Sequence, residues 1–493
     1  MSLARRLVLS SSGRGGFRLP RQALVASGPY DPTFTPGATV LTELHCHTNN
    51  SDGSYTPATI VGYYAARGFD ALAITDHDKH TVQPAGITTA IPGDEYSPTT
   101  QHIIGIDVAT YSRSSTAAQA IVDGITTAGG QAEIAHPKWS NGISYAELQA
   151  LTGHLGFEIH NAHCVTGAGQ NPATYPGYAV DLWDQVLANV RRNTWGFAVD
   201  DLHKYDGFHV EDVGRVQVFA VTGGKADIMA SLVDGNFVAD VSNYGVTPGY
   251  PVRSNYDLSV SCTGATRVEA WGAGGVLLSA STGTDHTHTF EGSEHYVRLV
   301  AVGDYTEDFG AALDNRWVAY DGSWSVAGGV LTHTDSGATH RRMILRRHRE
   351  GDFTAQVDVN MTDAGIALMF NVLNASYYYV VRLGRPPSGT GYSDTLAVAK
   401  TTNGSFNAPL ASYAFAPAAS TWYTIKMRYT AAPGLIEAKV WERGGAEPGA
   451  WQVSVADTAW RHGAFGLRAD GEPQFDNFYA DGFRTYYQPV AVD

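Results

Sequence analysis

Residues 40–47 read Val40-Leu41-Thr42-Glu43-Leu44-His45-Cys46-His47. Val40 to Leu44 has the character of a strand. The two histidines that follow are spaced i, i+2, so an extended chain aims both to one side and Cys46 to the other. The same grammar recurs along the chain. Ile74 is followed by Thr75-Asp76-His77-Asp78, Pro92-Gly93 by Asp94-Glu95, and Ala135 by His136-Pro137. Ile159 is followed by His160-Asn161 and Val199 by Asp200-Asp201-Leu202-His203, while Asp52 sits in a Ser51-Asp52-Gly53 turn. Helices fall between these strands. One is punctuated by Thr56 as N-cap, Pro57 at the first helical position and Gly68 past its end. Ala117 to Ala128 and Asp181 to Arg191 are helical in pattern, and Ser144 to Glu147 is a capping box. Strand–helix alternation with polar clusters at the C-terminal strand ends predicts parallel strands, as a barrel or an open sheet, with the site at that face.

Composition sets the frame. The 493 residues exceed one ordinary domain, and 43% hydrophobic with 16% charged residues excludes a disordered chain. Lys+Arg is 33 against Asp+Glu 48, a formal charge of −15, so no duplex nucleic acid is expected as a partner. No apolar run reaches the roughly 20 residues of a membrane span. Leu7-Val8-Leu9 is too short for a secretory signal, which gives the expectation of a cytoplasmic or virion-associated chain. Three cysteines, Cys46, Cys164 and Cys262, make no disulfide framework.

The chemistry lies in the histidines. Of 18, eleven fall between His45 and His209. Imidazole nitrogen with carboxylate oxygen suits zinc, manganese or iron, and a carboxylate such as Glu95 can bridge two ions and so activate shared water. The candidate metal ligands are His45, His47, Asp52, His77, Glu95, His136, His160, Asp201 and His203. Asp200 competes with Asp201, Asp76 is expected to orient a ligand, and His80 and His102 are expected to support ligands or pack rather than bind metal. His163 is the alternative to His160 as a ligand of a third ion.

Together these motifs, Leu44-His45-Cys46-His47 through Asp201-Leu202-His203, resemble those of the PHP (polymerase and histidinol phosphatase) metallohydrolases. The spacing, with Tyr296-Val297-Arg298 in the β tail, is most similar to the CehA/McbA-like branch. The resemblance covers about residues 40–300. It implies a distorted (β/α)7 barrel with two or three divalent ions. One ion would be held by His45, His47, Glu95 and Asp201, a second by Asp52, His77 and His203, and a third by Glu95 and His136. His160 departs from the family's pattern. Glu95, Asp201 and His203 are the expected catalytic residues, acting through the ions. The implied substrate is a phosphate mono- or diester, or a carboxylic or carbamate ester. Lys79, Lys138 and Lys204 lie near the motifs and are candidate substrate contacts.

After about residue 250 the helices stop. The division expected from the pattern is a basic arm at 1–38, a barrel at 39–250, a small β unit at 251–303 and a β-sandwich at 304–493. The last of these resembles concanavalin A-like/laminin-G-like jelly rolls in Ala464–Arg468 and Gln474–Phe478. A glycan is its candidate partner, through rings such as Trp317, Trp324 and Tyr377 to Tyr379, although such rings more often fill a core. Asp476-Asn477 is a candidate calcium site. The competing reading is a structural or adhesive protein, virion-associated or extracellular, with a vestigial barrel.

Overall fold

The computed structural model describes residues 26–492 apart from 28, 99–100, 140–141, 167–176, 190–193, 206–212, 242–244, 311, 315, 336–339, 361–364 and 385–393. Most of the basic arm, and His209, lie outside the described residues. The N-terminal half runs β1 (Ala26–Ser27), β2 (Ala38–Glu43), α1 (Pro57–Ala65), β3 (Ala71–Ile74), β4 (Thr89–Tyr96), β5 (Ile103–Ile106), α2 (Ala118–Thr127) and β6 (Gln131–Ile134). It continues with α3 (Tyr145–Ala150), β7 (Gly156–Asn161), α4 (Ala162–Thr166), α5 (Val180–Asn189), β8 (Trp195–Val199), β9 (Arg215–Ala220), α6 (Lys225–Asp234) and β10 (Phe237–Asp240).

The local signals act as expected. Thr56 accepts the Thr59 N–H, Gly68 takes φ 81° after α1, and Ser144 and Glu147 form a reciprocal capping box. Strands β2, β3 and β4 pair in parallel, as do β6, β7 and β8. Between them β5 runs antiparallel to both β4 and β6. Backbone beyond β2 and β8 closes the ring: His47 N–H donates to Leu202 O at 2.9 Å and Asp201 N–H to His45 O at 2.8 Å. Strands β2 to β8 therefore form a seven-membered distorted barrel, and its closing seam carries three candidate ligands. Its interior holds Val40, Ala73, Ile91, Ile104, Phe197 and Val199. The chief distortion is the β4–β5 hairpin. Glu95 lies inside β4, not beyond its end, because β4 runs on to Tyr96 to pair with β5.

A small double-layered unit follows, with β11 (Val252–Arg253), β12 (Asp257–Ser261), β13 (Arg267–Gly272), β14 (Val276–Thr282), β15 (Asp285–Thr289) and β16 (Tyr296–Glu307). Strands β11, β12 and β15 form one sheet, and β13 pairs with β14 and β16 in the other. Leu258, Val260, Val268, Ala270, Phe290 and Leu299 fill the space between them. Arg298 fastens this unit to the barrel. It is 3% exposed and makes a two-pronged ion pair with Asp184 of α5, at 2.9 Å on each prong, and Tyr296 OH donates to the same carboxylate at 2.8 Å.

The C-terminal half is a sandwich of two antiparallel sheets. One is ordered 317–319, 341–350, 462–469, 366–374, 377–384 and 395–402. The other is ordered 324–327, 330–333, 474–487, 353–360, 422–430, 435–442 and 453–456. Trp317, Tyr377 and Tyr379 belong to the core between the sheets, and Trp324 packs against it. Tyr378 is also buried, on the opposite face of its strand. These rings fill the protein instead of offering sugar-stacking faces. Asp476-Asn477, the candidate calcium site, lies inside the strand Gln474–Tyr487 and is already partnered. Arg443 reaches Asp476 at 2.9 Å and Asp358 at 3.0 Å, so a cation there would face a guanidinium.

The expected boundary at 303 falls within β16, which pairs with the strand Gln474–Tyr487 from Val300↔Tyr486 to Glu307↔Phe478. The same strand also pairs with β10, and Val490–Val492 pairs with β1 and β16. The chain end thus returns to the barrel, where Gln488 exchanges two 2.9 Å hydrogen bonds with Gly196 of β8. A period-2 pattern reads the same whichever sheet a strand joins, so sequence marks no such crossing.

Candidate metal centre

Four buried ligand atoms converge at the barrel seam. His45 Nε2 lies 3.1 Å from His47 Nε2, 3.4 Å from Glu95 Oε2 and 3.2 Å from Asp201 Oδ1. His47 Nε2 lies 3.2 Å from the same Glu95 oxygen and 3.1 Å from the same Asp201 oxygen. An ion bound tetrahedrally at about 2.0 Å separates its ligands by about 3.3 Å. Glu95 Oε2 and Asp201 Oδ1 are buried without a well-formed hydrogen bond. A buried oxygen without a donor is costly unless something else meets it. The donor set, the spacing and the two unmet oxygens together fit a divalent transition-metal ion.

A second group is shallower. Asp52 Oδ2 lies 3.5 Å from His77 Nε2 and 3.3 Å from His203 Nε2, and Asp52 is the exposed member. The Asp52 turn curls back so tightly that a Cβ on Gly53 would lie 2.7 Å from the His47 carbonyl, which only glycine permits. Glu95 joins the two groups and a third. Its Oε2 is 2.9 Å from His77 Nδ1, and its Oε1 is 2.8 Å from His102 Nδ1 and 3.2 Å from His136 Nε2. Burial works against charge on Glu95, yet His45, His102 and His136 outweigh it and hold the carboxyl well below its usual range. Asp201 behaves alike, with His45 and His203 overcoming burial. Burial also disfavours a proton on His77, but Asp52 and Glu95 push its pKa up to about 10. The carboxylates are thus charged, and their field favours a positive charge among the imidazoles, a proton on His77 in the metal-free protein that a bound cation would displace.

A second layer fixes these side chains. Glu158 Oε1 meets His45 Nδ1 at 2.6 Å, and its Oε2 accepts from His136 N–H at 2.6 Å and Asn161 Nδ2 at 2.8 Å. With Nδ1–H given to Glu158, His45 keeps Nε2 as a lone pair. Asp76 accepts from Thr48 N–H, Thr48 Oγ1, Ser51 Oγ and Thr81 Oγ1 at 2.5–2.7 Å, and so holds the loop that carries Asp52. Asp200 accepts from Val213 N–H, Gly214 N–H and Tyr64 OH, which leaves Asp201 to the cluster. Adjacent aspartates are divided between these tasks by a left-handed φ of 52° at Asp201. Positive φ also occurs at His136 and Asp78, which likewise follow barrel strands.

Of the expected ligands, His45, His47, Asp52, His77, Glu95, His136, Asp201 and His203 come together, and His160 does not. A bulge in β7 between Glu158 and His160 breaks the alternation, so Glu158 and Asn161 face the cluster while the His160 ring packs on Tyr178 at 4.7 Å. His102, expected to support a ligand or pack, meets Glu95 at 2.8 Å. His163 of α4 stacks on His203 at 4.3 Å. The expected substrate contacts fare differently. Lys138 is ion-paired with Asp181, Lys79 donates to Asn50 O at 3.4 Å, and Lys204 is exposed beside His203. Cys46 is fully buried, with its thiol directed to Ala73 O. Sequence reasoning missed Glu158 and Glu43, whose signal was a single carboxylate within a barrel strand. Glu43 Oε1 accepts from His45 N–H at 2.9 Å and Asp200 N–H at 3.2 Å.

No family model matches the chain, and no curated protein is similar to it. Among solved structures, it is similar to a two-domain Bacteroides vulgatus protein containing a predicted PHP-like metal-dependent phosphoesterase, with 16% identity over 57% of this chain and 94% of that one and a TM-score of 0.34. It is also similar to a carbohydrate-binding module, CBM66, from Bacillus subtilis, with 18% identity over 34% of this chain and 98% of that one and a TM-score of 0.28. A Bacillus subtilis protein of unknown function with a galectin-like fold matches at 14% identity over 38% of this chain and 96% of that one, with a TM-score of 0.30. Scores this low carry no chemistry across, and the function rests on the side chains themselves. Among the described residues no helix is long and apolar enough to cross a membrane.

Proposed function

We propose that the barrel is a PHP-type, divalent-metal-dependent hydrolase that cleaves a phosphoester or a carboxylic or carbamate ester by metal-activated water. The observation that carries this reading is the convergence of His45 Nε2, His47 Nε2, Glu95 Oε2 and Asp201 Oδ1 at 3.1–3.4 Å around two buried oxygens that accept no well-formed hydrogen bond. These four residues would hold one ion. Asp52, His77 and His203 would hold a second, and His136, with His102 beside it, would serve a third through Glu95. Bound ions would supply a water of lowered pKa and a clamp for a developing oxyanion. The chain's own residues do the rest: Glu158 fixes His45, Asp76 fixes the Asp52 loop, and the short arm of Glu95 ties the groups together. Neither Cys46 nor Cys164 is placed to act as nucleophile, since both are buried and burial raises both thiol pKa values well above the ordinary range.

The sandwich is proposed as a glycan- or surface-binding half. Its partly exposed Trp451, with the Lys439 ammonium 4.6 Å from the ring, is a better stacking candidate than the core rings. A purified chain should retain manganese, zinc or iron by mass spectrometry and hydrolyse an aryl ester or phosphoester in a chelator-sensitive manner. Less than one equivalent of bound metal, with none gained from added manganese or zinc, would favour the vestigial-barrel reading.

A further inference from the structure

Outside the metal centre, one cluster of side chains is wired in a single direction. In the small β unit His288 Nε2 lies 3.1 Å from Glu294 Oε1, and both Glu294 oxygens accept the Glu291 N–H, at 2.8 and 3.0 Å. A carboxylate only accepts, so His288 must carry its proton on Nε2 and present Nδ1 as a lone pair. Ser279 Oγ, 2.8 Å from that Nδ1, must then donate to it. Its own lone pairs are left for His286 Nε2–H at 3.0 Å, and Ser281 Oγ, 2.8 Å away, donates to His286 Nδ1. Every tautomer follows from the one carboxylate.

We propose that Ser279, His288 and Glu294 form a second, metal-independent hydrolytic site, with Ser279 as nucleophile, for uncharged carboxylic esters with a small apolar acyl group. Three features support it. The base and its orienting carboxylate are buried, His288 at 5% and Glu294 at 9% exposure, while Ser279 is partly open to solvent. His286 adds a donor to the serine oxygen, which stabilises negative charge as the hydroxyl proton leaves. Burial and the neighbouring His288 lower the His286 pKa, so that ring is neutral at physiological pH. Finally, among the described residues β14 pairs with β13 and with no other strand, so it ends its sheet there. The backbone N–H groups along that free edge would serve as oxyanion donors, and the exposed Val276 and Leu278 would receive the acyl chain.

The chemistry balances without a cofactor. Ser279 Oγ bonds to the carbonyl carbon as its proton passes to His288 Nδ1. The bond to the leaving alcohol breaks as that proton moves to the departing oxygen. Water, giving a proton to the same nitrogen, then releases the acid and restores the serine.

The test uses the full chain, dialysed against a chelator to silence the metal centre, and a fluorophosphonate probe with peptide mass spectrometry. The expected result is covalent label on Ser279, none in Ser279→Ala, and a labelling rate lower by about 10²–10⁴ in His288→Gln. Chelator-resistant hydrolysis of a 4-nitrophenyl ester should disappear in Ser279→Ala. Absence of label on Ser279 in the folded chain would overturn the proposal. So would equal labelling rates in the parent and in a His288→Gln variant with an unchanged melting temperature, because the serine would then be merely exposed.

Discussion

Cutting the chain after residue 303 tests how the halves are joined. The cut removes the strand that pairs with β16 and β10, together with Gln488 and Val490–Val492. Tyr486, 1% exposed, packs with Val300 and Ala239 in the barrel's outer core, and Tyr487 and Val490, both fully buried, pack with Phe219 and Leu299. Losing a buried aromatic costs about 3–5 kcal/mol, so the two tyrosines alone are worth about 6–10 kcal/mol. A domain's whole stability is about 5–15 kcal/mol. Residues 26–303 alone are therefore expected to show no cooperative thermal transition by near-ultraviolet circular dichroism, and no slow amide exchange in β8 or β10. Linking residues 478–492 back to that chain should restore both. If the chain ending at 303 melts cooperatively within about 4 °C of the intact protein, the returning strands are ornamental and this account of the junction fails.

Three further outcomes follow from named contacts. Glu95→Gln removes the charge shared by three histidine groups and should lower turnover by about 10²–10⁴ at saturating metal, whereas Cys46→Ala, whose thiol faces away from the cluster, should leave turnover nearly unchanged; steady-state kinetics of the pair decides. Asp184→Ala strands Arg298 in a buried site and should cost about 3–5 kcal/mol in urea unfolding, with a shift below about 1 kcal/mol counting against a fastening role. Asp94, on the face of β4 opposite Glu95, is pushed up to about 8 by burial and then by Asp78. A carboxyl raised on folding stabilises the metal-free protein below the unfolded pKa of about 4, and that stability is lost as pH rises through about 8. Asp94→Asn should therefore gain stability over the parent as pH climbs from 5 to 9, and a flat difference across that range would remove Asp94 from the account.

Elements whose physics is local were legible along the chain. The Thr56 cap, the Ser144–Glu147 box and the histidines after β2, β3, β6 and β8 depend on neighbours a few residues apart, and each stands where the pattern placed it. Spacing also sufficed for most of the cluster, because alternation along an extended chain sends His45 and His47 one way and Cys46 the other. The remaining features depend on residues distant in sequence. The bulge that turns His160 away is a slip of β7 against β8, invisible along β7 alone. His102 meets Glu95 because β4 and β5 fold into a hairpin. Glu158 matters because it lies beneath His45, 113 positions away. The same holds for the chain end, whose alternating pattern fits a sandwich strand and a barrel-side strand equally well. Which sheet it completes was settled by the burial of Tyr486 and Tyr487 against residues more than 180 positions earlier.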